Sequence, residues 1–590
     1  MQTSNVSDKR DTVLIVLAAA FTSLCAFLYY FTRGQILLYG DSVAHINIAR
    51  RVFDSAVPSL LHFGTVWLPL PHLLILPFII PLDWWQSGIG GSIYSMGAYI
   101  FGCLGSFRLA LRLTHSRAAA AVACIVFAAN PNLLYMQSTA MTEPLCIALF
   151  IWIAVYFTEF EQASRPNHDE GNAQTGDARA ARALTRCGCC IAAMALTRYD
   201  GWFAGLVFVL VAFVVLIRRH GWGFLTRART PLWRGARNLA LISAAAPAFW
   251  FAWNWLLSGD PLDFALGPYS AKAIAVRTAM PNATYPGQHS LAVAATFFRK
   301  CAELNLGEAP WHHAVFFAAI FGTLLAVILN RRAWPALLLW LPWPFYTLSL
   351  AYGDVPIFMP MWWPYSYYND RFGLQLLPAI ALGVGLAVAA TTNVWVMLRP
   401  EGVPAHSPDS PGRGEASLVR TSLARTSLSR TSWVRSGIVI VILLITGATY
   451  YTAWRATPIT LREARAISKA RIALETRVAE ELLRLPPDSR ILIYMAEHGG
   501  VLQRAGIPLR RTINESTHAH RELPHGLWER ALADPRQYAD YVVAFEGDPV
   551  ARSAAAHRAD LRTIIVIHSA GQAPATIYRV EPAPQAPASR

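Results

Sequence analysis

Charge is what this chain lacks most. Only 15% of its 590 residues carry a formal charge, while 54% are hydrophobic; soluble proteins average about 25% charged. That shortage excludes a disordered chain, a collagen-like repeat and a disulfide-stapled secreted module. No internal repeat is evident, and no Gly-rich phosphate loop appears. None of the eight cysteines follows Cys301. Cys187, Cys189 and Cys190 open an apolar helix, but no second half completes a zinc site, so they read as buried structural thiols. The opening MQTSNVSDKR runs into an apolar stretch without a small-residue cleavage site. It reads as an uncleaved first helix, not a removed signal peptide.

What is present is apolar and arranged in blocks. Val13–Phe31, Leu206–Ile217 and Gly437–Tyr450 contain no charge, and a bilayer-spanning helix needs about 20 apolar residues. The pattern predicts a polytopic α-helical membrane protein. With the N-terminus inside, by Lys9 and Arg10, about eleven helices follow: 12–32, 92–113, 118–134, 143–160, 187–197, 201–217, 238–257, 313–329, 334–351, 372–397 and 436–453. Arginines then collect in the inner loops, at Arg112 and Arg117, at Arg165 to Arg186, at Arg218 to Arg237, and at Arg331 and Arg332. This is the positive-inside bias, so the net charge of +15 reports orientation and not nucleic-acid binding. Trp67–Pro81 is apolar, but it is short and broken by four prolines. It is expected to be re-entrant, because a full crossing would place the arginines outside.

These boundaries predict a transmembrane catalytic domain over 1–398, a flexible cytoplasmic linker over 399–435, a last crossing over 436–454, and a periplasmic α/β domain over 455–590. The linker is rich in Ser, Pro, Gly and Arg and repeats Arg-Thr-Ser at Arg420, Arg425 and Arg430. The polar loop 161–186 reads as equally unstructured. In the tail, Thr460–Leu485 has helical periodicity, and Arg490–Met495, Tyr541–Phe545 and Arg562–His568 read as strands. Helical stretches at Gly526–Ala533 and Pro549–Ala559 lie between them.

With that sidedness, the polar clusters fall on the outer face. They are Tyr39–Ser42, Asn130–Pro144, Thr197–Trp202, the loop from Ser258 to His312 with Asp260 and Asp263, and Tyr365–Arg371. Ionisable groups at membrane ends are costly unless paired or functional, so their convergence points to an outer-facing site.

A single acid, Asp41, precedes an amphipathic stretch, Val43–Ser55. A second acid, Glu143, opens a later helix. Arg371-Phe372 leads an Arg-Phe-x-x-x-x-Leu-Pro run, and a soluble domain closes the chain. In order and sidedness this resembles the GT-C membrane glycosyltransferases of the family 39 and aminoarabinose-transferase-like branch. Protein mannosyltransferases usually carry two adjacent acids in the first loop, whereas Asp41 is followed by Ser42; this leaves the acceptor type open. The resemblance implies inverting transfer of a sugar from a polyprenyl-phosphate donor to a cell-envelope acceptor (protein, lipid or polysaccharide), at the periplasmic face of a bacterial inner membrane. A nucleotide sugar is not expected.

On that reading Asp41 is the general base, with the N-cap of the following helix as its structural alternative. Glu143 is a second acid, or simply a helix-start partner of the dipole. Arg371 and Arg198 are donor-phosphate ligands, since guanidinium forks match phosphate oxygens; each also has a nearby acid, Asp370 or Asp200. Tyr368, Asn369, Asp370, Tyr199, Asp200 and His45 are groove residues, and Trp362, Trp363, Tyr365 and Tyr367 add aromatic surface or an interfacial belt. Some relatives are metal-dependent, so a divalent ion at Asp41, His45 and Glu143 is weighed, with the metal left unknown. The rival reading is a polytopic transporter or lipid-linked sugar flippase without transferase activity.

Overall fold

The computed structural model describes residues 2–165, 170–224, 230–268, 285–353, 356–361, 366–397, 415–517 and 526–581, with four isolated positions between 269 and 284. The long helices are α1 (Gln2–Phe31), α2 (Gly40–Arg50), α3 (Pro69–Ile75), α4 (Ile89–Thr114), α5 (Arg117–Ala128), α6 (Glu143–Ala163), α7 (Glu170–Ala195) and α8 (Asp200–His220). They continue with α9 (Pro231–Ser258), α10 (Leu291–Leu304), α11 (Trp311–Leu329), α12 (Pro342–Tyr352), α13 (Leu377–Met397), α14 (Glu415–Arg455) and α15 (Ile459–Leu482). Among the described residues, seven helical stretches are long and apolar enough to cross a membrane: Lys9–Phe31, Glu143–Ala163, Asp200–His220, Pro231–Ser258, Trp311–Leu329, Asp370–Thr392 and Arg435–Leu482.

Two expectations about loops are overturned. The segment 161–186 is not unstructured: α7 starts at Glu170 and packs along α6 and α9. Its alanines and arginines are good helix formers, and polarity on one face had masked that propensity. The linker expected over 399–435 is helical from Glu415 onward, where α14 begins; residues 398–414 lie outside the described ones. The proline-broken segment forms α3, seven residues long, and a 3-10 turn, Leu76–Phe78. At about 1.5 Å per residue this is far short of a ~30 Å hydrocarbon core.

α6 runs through the centre and is buried for most of its length. It is charged at both ends. Glu143 opens it, and at its far end the buried Glu161 receives Arg219 (2.5 Å) and Arg165 (2.8 Å) while Glu159 receives Arg112 and Arg179, both at 3.1 Å. Eighteen residues separate Glu143 from Glu161, so the two charge clusters lie about 27 Å apart along the helix, close to the thickness of a hydrocarbon core. Four of the arginines assigned to one side by sequence, Arg112, Arg165, Arg179 and Arg219, thus gather at the end opposite Glu143.

α11 and α13 pack through glycines, which let backbones approach in the absence of a hydrophobic driving force. A Cβ on Gly322 would strike the Gly383 carbonyl and lie 2.7 Å from the Ala387 Cβ; one on Gly383 would strike the Ala319 carbonyl. Gly383→Val is therefore expected to force the helices apart and lower the thermal midpoint of the detergent-solubilised protein by several degrees or abolish monodisperse protein. Gly447→Ala, in open space, should leave both unchanged.

The C-terminal domain carries a five-stranded sheet in the order β2-β1-β3-β5-β4, from β1 (Ile491–Ile493), β2 (Thr512–Ile513), β3 (Tyr541–Phe545), β4 (Leu561–Ile567) and β5 (Ala575–Val580). β1 is parallel to β2 and β3, while β5 is antiparallel to β3 and β4. Three strands match the sequence reading. β2, with two residues, gives no periodic signal. One face of the sheet buries Leu492, Ile513, Val542 and Leu561 around Trp528. The domain docks on the end of the bundle that holds Asp41. Gln503 donates to the Trp85 carbonyl (2.7 Å), Asn47 to the Gly499 carbonyl (3.0 Å) and Arg471 to the Leu38 carbonyl (2.8 Å).

Candidate active site

Asp41 lies in the first turn of α2, with Tyr39 as the preceding cap residue in extended conformation. Tyr39, not Asp41, occupies the cap position, so the N-cap explanation fails. Asp41 instead receives Arg371, Nη2 to Oδ2 at 2.7 Å, while 37% of its side chain stays exposed.

Arg371 is placed by backbone geometry. Asn369 adopts the left-handed conformation at φ 60°, which Asn tolerates better than most residues. The 3-10 turn Asp370–Leu376 then starts directly before α13. This sends Arg371 inward, where it meets three carboxylates: Asp41, Glu143 (Nε to Oε1, 3.2 Å) and Glu463 (Nη1 to Oε1, 3.0 Å). Its guanidinium lies 5.0 Å from the Tyr39 ring centre and 5.4 Å from that of Phe372.

Glu143 links this arginine to a second. Pro144 fits the first turn of α6, where its missing N–H is no loss. Glu143 is fully buried and its Oε1 also accepts from Arg198 Nη1 at 3.0 Å. Arg198, in the turn after α7, further binds Asp200 through Nε (3.3 Å to each oxygen), and Tyr346 donates to Asp200 at 2.9 Å. An alternating chain therefore runs Asp41–Arg371–Glu143–Arg198–Asp200. The Glu143 Oε2 has no hydrogen-bond partner among the described residues.

Glu463 was not singled out from sequence. It sits in α15, the first helix of the soluble domain, and is completely buried. Its Oε2 also accepts the backbone N–H of Asp370. In sequence, Thr460 and Glu463 have capping-box spacing, a local explanation that hides a long-range one. Thr460 actually bonds Asn132 (backbone N–H 3.0 Å, hydroxyl 2.9 Å) and its carbonyl accepts from the Tyr39 hydroxyl. Glu463→Ala would free one arm of Arg371 and orphan the Asp370 N–H. A loss of about 1–3 kcal/mol is expected, measurable as a lower thermal midpoint, with Glu463→Gln intermediate.

Several predicted groove residues are not on an open surface. Asp370 is buried and does not pair with Arg371; neither of its oxygens has a partner among the described residues. Asn369 is buried and donates to the Pro356 carbonyl (3.0 Å). The Tyr199 hydroxyl donates to the Val66 carbonyl (2.7 Å) and accepts from Trp250 (3.1 Å), so it ties α3's approach to α9. Tyr368 alone among these is well exposed, at 42%, and pairs by a backbone bridge with Phe358. Asp260 caps a turn, accepting from the Leu262 N–H at 2.8 Å, and Asp263 opens a four-residue helix. Trp362, Trp363 and Tyr365 lie outside the described residues. Of the cysteines near α7, Cys187 is buried, but Cys189 is exposed.

His45 was weighed with Asp41 and Glu143 as a ligand of a divalent ion. It is buried and shares a 2.9 Å hydrogen bond with His72, and the cation between the two acids is the Arg371 guanidinium. Burial lowers the His45 pKa to about 4, against the opposing pull of Asp41 and Glu143. The unfolded chain therefore takes up a proton below about pH 6.5 while the folded one does not. Stability is expected to fall as pH drops from about 6.5 to about 4, with a shallower fall in His45→Asn, read from thermal midpoints across that range.

A cleft of about 360 Å³ is lined by Leu37, Val43, Gln86, Ala479, Gln503 and Arg504. It lies between α2 and the C-terminal domain and contains none of the paired acids.

No family model and no curated protein matches this chain. Solved structures do. ArnT from Cupriavidus metallidurans bound to undecaprenyl phosphate superimposes with a TM-score of 0.54 at 14% identity, covering 96% of this chain and 97% of that one. The same protein in the apo state gives 0.54 at 13% identity, covering 98% and 100%. The chain has the GT-C fold. A looser likeness, TM-score 0.45 at 12% identity, is to the oligosaccharyltransferase of Archaeoglobus fulgidus, over 90% of this chain and 69% of that one. The likeness to ArnT runs through nearly the whole chain, C-terminal domain included.

Proposed function

We propose that the protein is an inverting membrane glycosyltransferase, moving a sugar from a polyprenyl-phosphate carrier to a cell-envelope acceptor at the periplasmic face of a bacterial inner membrane. The observation that carries this is the ion-paired chain from Asp41 to Asp200, set at one end of the bundle with Asp41 still open to solvent. The solved ArnT structure of the same fold is described as bound to undecaprenyl phosphate, a donor-carrier chemistry in keeping with a site that holds two arginines.

In the proposed step Asp41 takes the proton of the acceptor hydroxyl. The acceptor oxygen forms a bond to the anomeric carbon, and the bond from that carbon to the phosphate oxygen breaks. The electron pair leaves with the lipid phosphate, whose charge Arg371 and Arg198 neutralise. Arg371 is already saturated by carboxylates, so phosphate must compete for it. When phosphate takes the Nη2 edge, the Asp41 carboxylate is released from its contact with Arg371 and is free to turn to the acceptor hydroxyl. Donor binding thereby readies the base.

Tyr368 is exposed for sugar stacking. A flippase would instead be expected to place polar residues near the bilayer midplane on broken helices; here the paired charges are terminal. The test supplies membranes with a panel of labelled undecaprenyl-phosphate sugars and follows label into envelope components. Transfer supports the reading, and label crossing the bilayer without transfer favours the flippase.

A further inference from the structure

We propose that Glu303, His312 and His313 form a binding site for a late first-row divalent metal ion, with Zn²⁺ best matched to its ligands. Glu303 stands in the last turn of α10, and the two histidines open α11. Among the described residues no other group of three His, Cys, Asp or Glu brings its ligand atoms all within 4.8 Å of one another.

The spacing suits one ion. His313 Nδ1 lies 3.2 Å from Glu303 Oε1, and His312 Nε2 lies 3.8 Å from Oε2. Two ligands about 2.1 Å from a tetrahedral zinc are ~3.4 Å apart. The chemistry suits it too, since two imidazoles and a carboxylate form a known zinc donor set that leaves a fourth position for water. Glu303 is fully buried and His312 nearly so, whereas His313 stays partly open and leaves room for that water. Neither Glu303 Oε2 nor His313 Nδ1 makes a hydrogen bond among the described residues.

Two cations on α10 compete for the carboxylate. Arg299 binds Oε1 at 2.9 Å and Lys300 approaches Oε2 at 3.4 Å. Both side chains are partly exposed, and their long stems let the charged heads swing into solvent as an ion arrives.

The position gives the ion a purpose. Two residues past Glu303, Asn305 donates to the Asp370 carbonyl at 2.6 Å, and its own carbonyl accepts from Asn130 and Asn132 at 2.9 and 3.0 Å. A metal joining α10 to α11 would clamp the connection that backs the Asp370–Arg371 turn. These residues do not touch Asp41 or Glu143, and the proposal is independent of the assigned reaction.

The test uses the full chain purified with a histidine-free tag, stripped by chelator and titrated with ZnCl₂ alone. Elemental analysis should find one zinc per chain, and zinc should raise the thermal midpoint. His312→Ala/His313→Ala should lose both effects; since outer-shell changes alone weaken metal sites by about 10–100-fold, removing two ligands should cost more than ~100-fold. Arg299→Gln/Lys300→Gln removes the competitors, so it should bind zinc at least as tightly as the wild type. Wild-type protein without stoichiometric zinc or a shift in midpoint would overturn the site. So would a double histidine variant that binds like wild type, or loss of binding when the competitors are removed.

Discussion

Asp41→Asn is expected to lower sugar transfer by about 10²–10⁴-fold, the range a positioned general base contributes, while the protein remains folded. The substitution keeps the side chain's shape and can still accept a hydrogen bond from Arg371, but it removes the basic oxygen. Its structural cost is small because Asp41 is partly exposed and makes only one of the three carboxylate contacts to Arg371. Unchanged thermal midpoints alongside lost transfer separate a chemical role from a structural one. An Asp41→Asn protein that transfers normally would remove Asp41 as the base.

Arg371→Ala should have the larger combined effect. Arg371 is buried among Asp41, Glu143 and Glu463, and deleting it leaves three carboxylates without their shared cation. Removing one partner of a buried ion pair costs about 3–5 kcal/mol. The thermal midpoint is therefore expected to drop by many degrees and transfer to vanish. Arg371→Lys restores one charge but not the fork that reaches three acids and a phosphate. It should recover part of the stability and little of the transfer. Purified protein compared by thermal unfolding and by transfer from the same labelled donor distinguishes the two losses. A lysine variant with full activity would contradict bidentate use of the guanidinium.

The helical fold and the sheet core were readable because their signals are periodic and long. Charge-free blocks near 20 residues mark crossings, and Tyr541–Phe545 appears at its predicted limits. The N-terminal part of α7, ahead of the helix expected over 187–197, was missed because it is polar and helix propensity there competes with a loop-like composition. Asp41, Glu143, Arg198 and Arg371 were legible as charges that membrane ends tolerate only with a reason. Their pairing was not. Sequence neighbours suggested Asp370 for Arg371, but the left-handed Asn369 turns the two side chains apart, and the true partners lie up to 330 positions away. Glu463 was hidden most fully, because a glutamate in an amphipathic helix looks solvated until the helix docks. His45 looked available beside Asp41, yet the same helix buries it against His72.

One assay bears on the central claim that the Asp41–Arg371 end of the bundle performs glycosyl transfer. Membranes carrying either wild-type protein or Asp41→Asn receive the labelled undecaprenyl-phosphate sugars, and label in envelope acceptors is counted. Transfer by the wild type from at least one donor is expected, with a loss of at least about 100-fold in the variant. Equal transfer by both, or none by the wild type from any donor in the panel, would contradict it.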